Sequence, residues 1–425
     1  ASLKLSTLGA PLYKTTYTNI APRLGAAYII HNQTGHETVL RAGGGLFYDT
    51  GQQSFVGTVG DGVSLGATNY QQLGQIYGAA ESFPLMASTI MQPVSTAAPT
   101  SSIQLQYVQE PNFTPPSTLQ WSVSLEQSFG GKQSVIMNYV GSAGRKLPLF
   151  REYSLAALTT SGTAPGGLFK SITQYENGPG SNYNSAQIQF KRQMDHGLQM
   201  TASFTWAHAI DSASTDYSPN GFLPPMRGNS DHDVRENFTA ALVYHLPTHY
   251  KRFLERQVFG NWDLDLTFIT RTAFPVQPLG STVTDPITGD EFPARLDWNG
   301  QVPYMYVKGI PGGRQINPAV FSTAAAGTNG TAPRNFIRGF GENTADVAVQ
   351  RIFKLHREFR LLLRSEAFNI ANRPNFGKLN ISCGSSAALQ PCTNPLMGQA
   401  VSTLTSSIYG QGGPRSLQFA VKLQF

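Results

Sequence analysis

The groupings in this chain whose residue types and spacing could do chemistry are few, and the densest is Asp231-His232-Asp233. Two carboxylates beside an imidazole could hold a cation or supply the acid and base of a hydrolase. The trio lies at the end of a loop beside a strand start, so a solvated rim is its expected setting. His245 and His249 have HxxxH spacing, which on a helix places two ligands on one face. Pro247 stands between them and Tyr244 belongs to a strand pattern, so turn or interfacial histidines are expected instead. Gly141-Ser142-Ala143-Gly144-Arg145-Lys146 has the composition of a phosphate loop but neither its GxxxxGK[ST] spacing nor a following helix. Trp121, Trp206, Trp262 and the many tyrosines could stack on sugars, although in a barrel they would form interfacial girdles. Cys383 and Cys392 sit close together between Asn380 and Pro395, with no His or further Cys at zinc spacing. A local disulfide in an oxidising compartment is the expectation, with free thiols the alternative. These residues offer no defensible catalytic, cofactor-binding or metal-ligating constellation, and the chain does not read as an enzyme.

The composition points elsewhere. Of 425 residues only 13% are charged, about half the usual share. Mean hydropathy is nevertheless −0.20, because Ser, Thr, Asn and Gln fill the polar share. No apolar stretch approaches the ~18 to 20 residues of a spanning helix. A formal charge of +6 invites a nucleic-acid reading, but the basic residues are dispersed. The densest cluster is Lys251-Arg252 with Arg256, and no recognisable nucleic-acid module is present. Nucleic acid is not an expected partner. Low charge, abundant aromatics and abundant amides fit a β-protein in or near a membrane.

The elements that must position these residues are strands. Leu198, Met200, Ala202, Phe204 and Trp206 alternate with Gln199, Thr201, Ser203 and Thr205. Phe238, Ala240, Leu242, Tyr244 and Leu246 repeat the apolar row. Trp262, Leu264, Leu266 and Phe268 oppose Asp263, Asp265, Thr267 and Arg271. Phe359, Leu361 and Leu363 alternate with Arg360, Arg364 and Glu366, and the chain ends on Leu417, Phe419, Val421, Leu423 and Phe425 against Gln418, Lys422 and Gln424. Weaker examples begin near Pro22, Thr38, Leu119, Val135, Ala186 and Ala345. About eleven strands result, most with room for ten or more residues, as a tilted bilayer-spanning strand requires.

Connections sort by parity. Those around Gln33-Thr34-Gly35, Gly130-Gly131, His196-Gly197 and His356-Arg357 are short, and Thr248 to Gly260 is intermediate. Asp49 to Pro116, Ser142 to Ser181, Asp211 to Asp233, Pro275 to Gly341 and Ala371 to Gly413 are long. Short periplasmic turns alternating with long extracellular loops define an outer-membrane barrel. An odd count that starts outside implies missing upstream strands, so residues 1–425 are expected to be the C-terminal portion of one barrel domain. Eleven is half of the roughly twenty-two strands of a plugged outer-membrane transporter.

Several stretches then resemble one group. They are Ala21-Pro22-Arg23-Leu24-Gly25 with Leu40-Arg41-Ala42-Gly43-Gly44-Gly45-Leu46-Phe47-Tyr48-Asp49, then Tyr183-Asn184-Ser185-Ala186-Gln187, and Ala202-Ser203-Phe204-Thr205-Trp206. The most specific pair is Pro333-Arg334-Asn335-Phe336-Ile337-Arg338-Gly339 and Arg364-Ser365-Glu366-Ala367-Phe368-Asn369-Ile370-Ala371-Asn372, which continues into Arg373-Pro374-Asn375-Phe376-Gly377. Nearly the whole chain is similar to the C-terminal barrel half of Oar-like TonB-dependent outer-membrane transporters of Acidobacteria-type Gram-negative bacteria. Arg235-Glu236-Asn237-Phe238 departs from the pattern, since members more often carry a second basic residue there.

The resemblance implies a signal peptide, a regulatory-like N-terminal domain, a plug and early strands, none of them within this sequence. It implies gated uptake of a large or scarce ligand across the outer membrane. A TonB energy-coupling complex would act through the missing N-terminal part, and the lipid bilayer and the barrel-assembly machinery would be the other partners. Phe425, with alternating hydrophobics before it, resembles the C-terminal assembly signal. Gln199, Thr201, Asp263, Asp265, Arg360 and Arg364 would face the lumen. The alternative is a surface-adhesion, secretion-related or passive pore-forming barrel. A barrel protease or lipase would have only Asp231-His232-Asp233 for footing.

Overall fold

Alternating side chains rich in β-branched and aromatic residues favour extended backbone with two chemically opposite faces. The computed structural model describes residues 14–49, 103–154, 169–214, 226–247, 252, 255, 258, 260–284, 291–325, 328–355, 358–385, 387–404 and 413–425. Eleven long strands run in chain order. They are β1 (Arg23–His31), β2 (Thr38–Tyr48), β3 (Ser117–Phe129), β4 (Gln133–Arg145), β5 (Ser181–Asp195) and β6 (Leu198–Asp211). After them come β7 (Glu236–His245), β8 (Trp262–Arg271), β9 (Glu342–Lys354), β10 (Arg360–Phe368) and β11 (Ser416–Gln424). Each pairs antiparallel with the next, and the short strand Gly228–Asn229 adds to β6, giving a sheet of twelve. The expected all-β antiparallel architecture and strand count are therefore present. Strand lengths run from 9 to 15 residues, enough to cross a bilayer at a tilt.

The registers keep the two faces separate across the sheet. Leu125, Met137, Ile188, Phe204 and Phe238 stand side by side on β3 to β7. Farther along, Leu242, Leu266, Val347, Ala367 and Leu417 continue the same face. Its side chains are open to the surroundings: Ile188 is 49% exposed, Trp206 54% and Phe419 74%. An apolar surface of that extent is untenable in water and natural in lipid. The other face aligns Ser124, Asn138, Gln187, Thr205, Asn237, Arg271 and Glu342. Gln199, Thr201, Asp263, Asp265, Arg360 and Arg364 share it. There Arg364 bonds Asp265 Oδ2 and Glu366 Oε1, each at 2.7 Å, and Gln350 Oε1 at 2.9 Å.

Near strand ends the apolar face also carries cations, Arg192 opposite Met200 and Arg351 among them. Arg351 pairs with Trp262 and Leu363, and its guanidinium lies 5.5 Å from the Trp262 ring and 4.4 Å from that of Phe353. It also donates to the Val258 carbonyl at 3.1 Å, so rings and a carbonyl together shelter the charge.

Short and long connections occupy opposite rims. The tightest turn is His196-Gly197, where φ is 51° and 79°. Two positive φ values in a row give a twist that matches the flanking strands, and glycine takes the second without steric cost. In the 32–37 turn the Gly35 N–H donates to Glu37 Oε1 at 3.0 Å. Backbone amides, its own first and then that of Gly35, hold the Glu37 carboxyl below its ordinary range. His249, His356 and Arg357, singled out in the sequence, lie outside the described residues.

The long connections differ from the plain loops expected of them. Strands Ile103–Gln109, Phe169–Asn177 and Pro148–Ser154 form a separate sheet, over which Phe113, Phe150 and Tyr175 pack with ring centroids 4.8 to 5.0 Å apart. The described residues of 272–341 and 369–404 together build a second module with its own core. Leu296, Ile316, Val320, Phe321, Ala332, Ile337 and Met397 are buried there around a disulfide joining Cys383 and Cys392. Its strands are mostly two or three residues long, too short for alternation to register in the sequence.

The disulfide closes a loop with a separation of 9 residues. Replacing both cysteines by serine should loosen the module by about 2 to 3 kcal/mol while sparing the large sheet. Hydrogen exchange checks this: the Cys383 and Thr393 amides should lose protection, and the amides shared by β5 and β6 should keep it.

Candidate functional site

The module is tied to the strand ends by arginines meeting carboxylates. Asp211 closes β6 and Asp233 precedes β7, so the sheet fixes both. Arg334 pairs with Asp211 Oδ1, donates to the Asp211 carbonyl at 3.0 Å and to Ser214 Oγ at 2.8 Å, and lies 3.4 Å from Asp231 Oδ1. The second Asp211 oxygen accepts from Ser214 at 2.8 Å. Arg338 pairs with Asp233 Oδ2 and donates to the Asp233 carbonyl, while Asp233 Oδ1 accepts the Ala209 N–H at 2.7 Å. The Asp233 side chain is fully buried. Between the two arginines, Asn335 and Asn229 exchange amide-to-carbonyl bonds at 2.9 Å, and Asn335 Nδ2 reaches Asp231 Oδ1 at 2.5 Å. Asn335 takes φ of 54°, a left-handed conformation that asparagine tolerates better than most residues. Opposite charges, with both carboxylate oxygens of Asp211 and of Asp233 engaged, make this a latch between module and sheet.

The Asp231-His232-Asp233 cluster is therefore only partly the solvated rim expected of it. Asp231 and His232 are exposed, but Asp233 is interior and committed to Arg338. The cause is a distant partner: Arg338 lies 105 residues away in sequence. No group of three or more His, Cys, Asp or Glu side chains among the described residues is arranged to hold a metal ion. His245 ends β7, paired by Nδ1 with Asp263 Oδ1 of β8, so it belongs to the sheet's polar face. Gly141 to Arg145 lie within β4. Trp121 and Trp206 lie toward the long-connection rim and Trp262 begins its strand at the opposite rim, all three on the apolar face.

The second recognised stretch, Arg364 to Gly377, ends β10 and anchors the segment beyond it. Buried Asn369 donates its backbone N–H to Asp346 Oδ1 at 2.7 Å, and its side-chain amide donates to the carbonyls of Arg373 and Gly413 at 2.9 and 2.8 Å. Buried Asn375 accepts the Asn343 N–H at 2.7 Å and donates to Thr344 Oγ1 at 3.2 Å. These asparagines replace ladder hydrogen bonds where the strands stop.

Beside the latch lies a cavity of about 580 Å³, bordered by Arg235, Glu236, Tyr306, Arg314, Arg338 and Phe340. Arg314 lies 4.5 Å from the Tyr304 ring and 5.1 Å from the Phe340 ring. It donates to the carbonyls of Arg338, at 3.2 Å, and Gly339. Gly312 lets Phe340 take its place: its φ is 74°, and a Cβ there would fall 2.3 Å from the ring. Of this lining, Arg338 drew notice in the sequence as part of a recognised stretch, and Arg235 and Glu236 as a departure from a motif. Arg314, Tyr306 and Phe340 carry no local signal, because packing of the module brings them together.

A family model for the outer membrane beta barrel domain matches residues 3–418. No curated protein matches the chain. Among solved structures, the outer membrane transporter YddB from Escherichia coli aligns over 90% of this chain and 38% of its own, at 10% identity and a TM-score of 0.41. A point mutant of the ferric enterobactin receptor PfeA from Pseudomonas aeruginosa, in complex with enterobactin, aligns over 95% of this chain and 40% of its own, at 11% identity and a TM-score of 0.40. The ferric-catecholate import receptor Fiu from Escherichia coli gives 95%, 34%, 10% and 0.40 in the same order. The chain thus spans well under half the length of each.

Removing the Arg338 guanidinium would strand the buried Asp233 carboxylate. Arg338→Ala should weaken docking of the module by about 3 to 5 kcal/mol, and adding Asp233→Ala should restore part of the loss. Limited proteolysis within residues 272–341 reads the effect, with the single variant cleaved fastest.

Proposed function

The chain belongs to the outer membrane beta barrel domain family, and from that premise we propose that it builds part of the wall and the capture loops of a TonB-dependent transporter. Its place is the Gram-negative outer membrane, with the apolar face against lipid. In the proposed arrangement the polar face lines the lumen and the long connections face outside the cell. The observation that carries the reading is the folded, disulfide-closed module held by buried arginine–aspartate pairs over a cavity at the strand ends. A passive pore needs no such construction over its mouth, whereas capture of a scarce ligand needs a preformed surface.

The wall itself supports a larger ring. Among the described residues β1 and β11 each have one neighbouring strand in the sheet, so two edges carry unpaired backbone groups. Hydrocarbon does not tolerate such edges. Further strands would close them, and about eleven more make the roughly twenty-two of plugged transporters. The plug and the segment that contacts the energy-coupling complex would then lie in the rest of the protein. Phe425, 91% exposed with its ring 6.4 Å from that of Phe359, would serve the assembly machinery as the terminal signal.

A plugged transporter is closed at rest. The full-length protein reconstituted into liposomes should leave them tight to small neutral sugars in a swelling assay. Swelling at porin-like rates would overturn the transport reading and favour the passive pore.

A further inference from the structure

Charge around the cavity does not balance. Of its three arginines, Arg338 is neutralised by Asp233. Arg314 spends its hydrogen bonds on two neutral carbonyls and its flat faces on two aromatic rings. Neither Arg314 nor Arg235 has a carboxylate partner among the described residues. The one acid in the lining, Glu236, is exposed and offsets a single charge. Half-buried guanidinium groups without counter-charge raise the local potential, and their forked donors match carboxylate and phosphate oxygens.

We propose that this cavity binds a small ligand carrying a carboxylate or phosphate, with Arg235 and Arg314 on the oxyanion and Tyr306 stacked on a flat apolar face. Arg314 is held in place before any ligand arrives, so little ordering is needed there. Tyr306 is 83% exposed at the mouth, a position that costs an aromatic ring its burial unless something covers it. A volume of about 580 Å³ falls within the ~300 to 1,000 Å³ typical of small-molecule sites. The assignment rests on the capture reading above, because it treats the cavity as open to the outside.

The experiment uses full-length protein in nanodiscs at low salt, titrated with phenyl phosphate and observed by ligand-detected NMR. Phenyl phosphate should bind, benzoate should displace it, and neutral benzyl alcohol should not. Arg235→Gln removes a side chain that takes no part in the latch and should weaken phenyl phosphate by roughly tenfold, the weight of one charge-assisted hydrogen bond. Tyr306→Ala, at an exposed position, should weaken phenyl phosphate while leaving inorganic phosphate unchanged. No phenyl phosphate binding by the wild type, or equal binding by Arg235→Gln, would overturn the site. Liposomes that stay tight while the wild type fails to bind would remove this assignment and leave the transport reading standing. Binding by a protein that also leaks sugars would do the reverse.

Discussion

Hydrocarbon offers no partner to a backbone N–H or C=O, and that single constraint organises the molecule. A chain without a spanning helix can satisfy it only by pairing strand to strand. Each of the eleven strands therefore runs long enough to cross and bonds its sequence neighbour, so that every connection lies at a rim. A period of two results, with Met200, Phe204 and Leu266 on one side and Thr201, Ser203 and Asp265 on the other. Even a cation on the apolar side obeys it: Arg351 keeps toward the end of β9, under rings and the Val258 carbonyl, rather than at mid-strand.

What the bilayer imposes on the strands it does not impose on the loops. Outside the hydrocarbon, the described residues of 272–341 and 369–404 fold by ordinary means, with a small apolar core and one covalent clasp. Such a module would drift on its connections to the strands without fixed points. Asp211 and Asp233 sit where β6 ends and β7 is about to begin, and they take Arg334 and Arg338 from the module. Burial makes these pairs costly to form and far more costly to break singly, which favours one docked arrangement over many. The cavity exists only in that arrangement, since Arg338 and Phe340 reach it from the module and Arg235 from the strand start.

Legibility in the sequence divides along the same line. Alternation in Leu198 to Trp206, or in Trp262 to Phe268, is a local property, and it announces strands, faces and rims without help. The recognised stretches around Arg334 and Asn369 are visible as motifs, but not their work. Arg334 and Asp211 are 123 residues apart, and only the fold makes them neighbours. Asp233 looks like part of a solvated trio for the same reason. The strands of the loop module are too short to show a period, and Arg314, Tyr306 and Phe340 belong to no pattern at all. Cys383 and Cys392 are readable because their separation is short and no other ligand type flanks them.

The separation of faces in lipid is the claim on which lumen, loops and latch all depend. Nitroxide labels placed one at a time along β6, from Gln199 to Thr205, in the full-length protein in bilayers would test it most directly. The native cysteines are joined to each other, so a single introduced cysteine is labelled cleanly. Oxygen, which concentrates in lipid, should broaden the signals at positions 200, 202 and 204. A water-soluble nickel complex should broaden those at 199, 201, 203 and 205. Accessibility without a period of two, or with nickel reaching the even positions, would contradict the account.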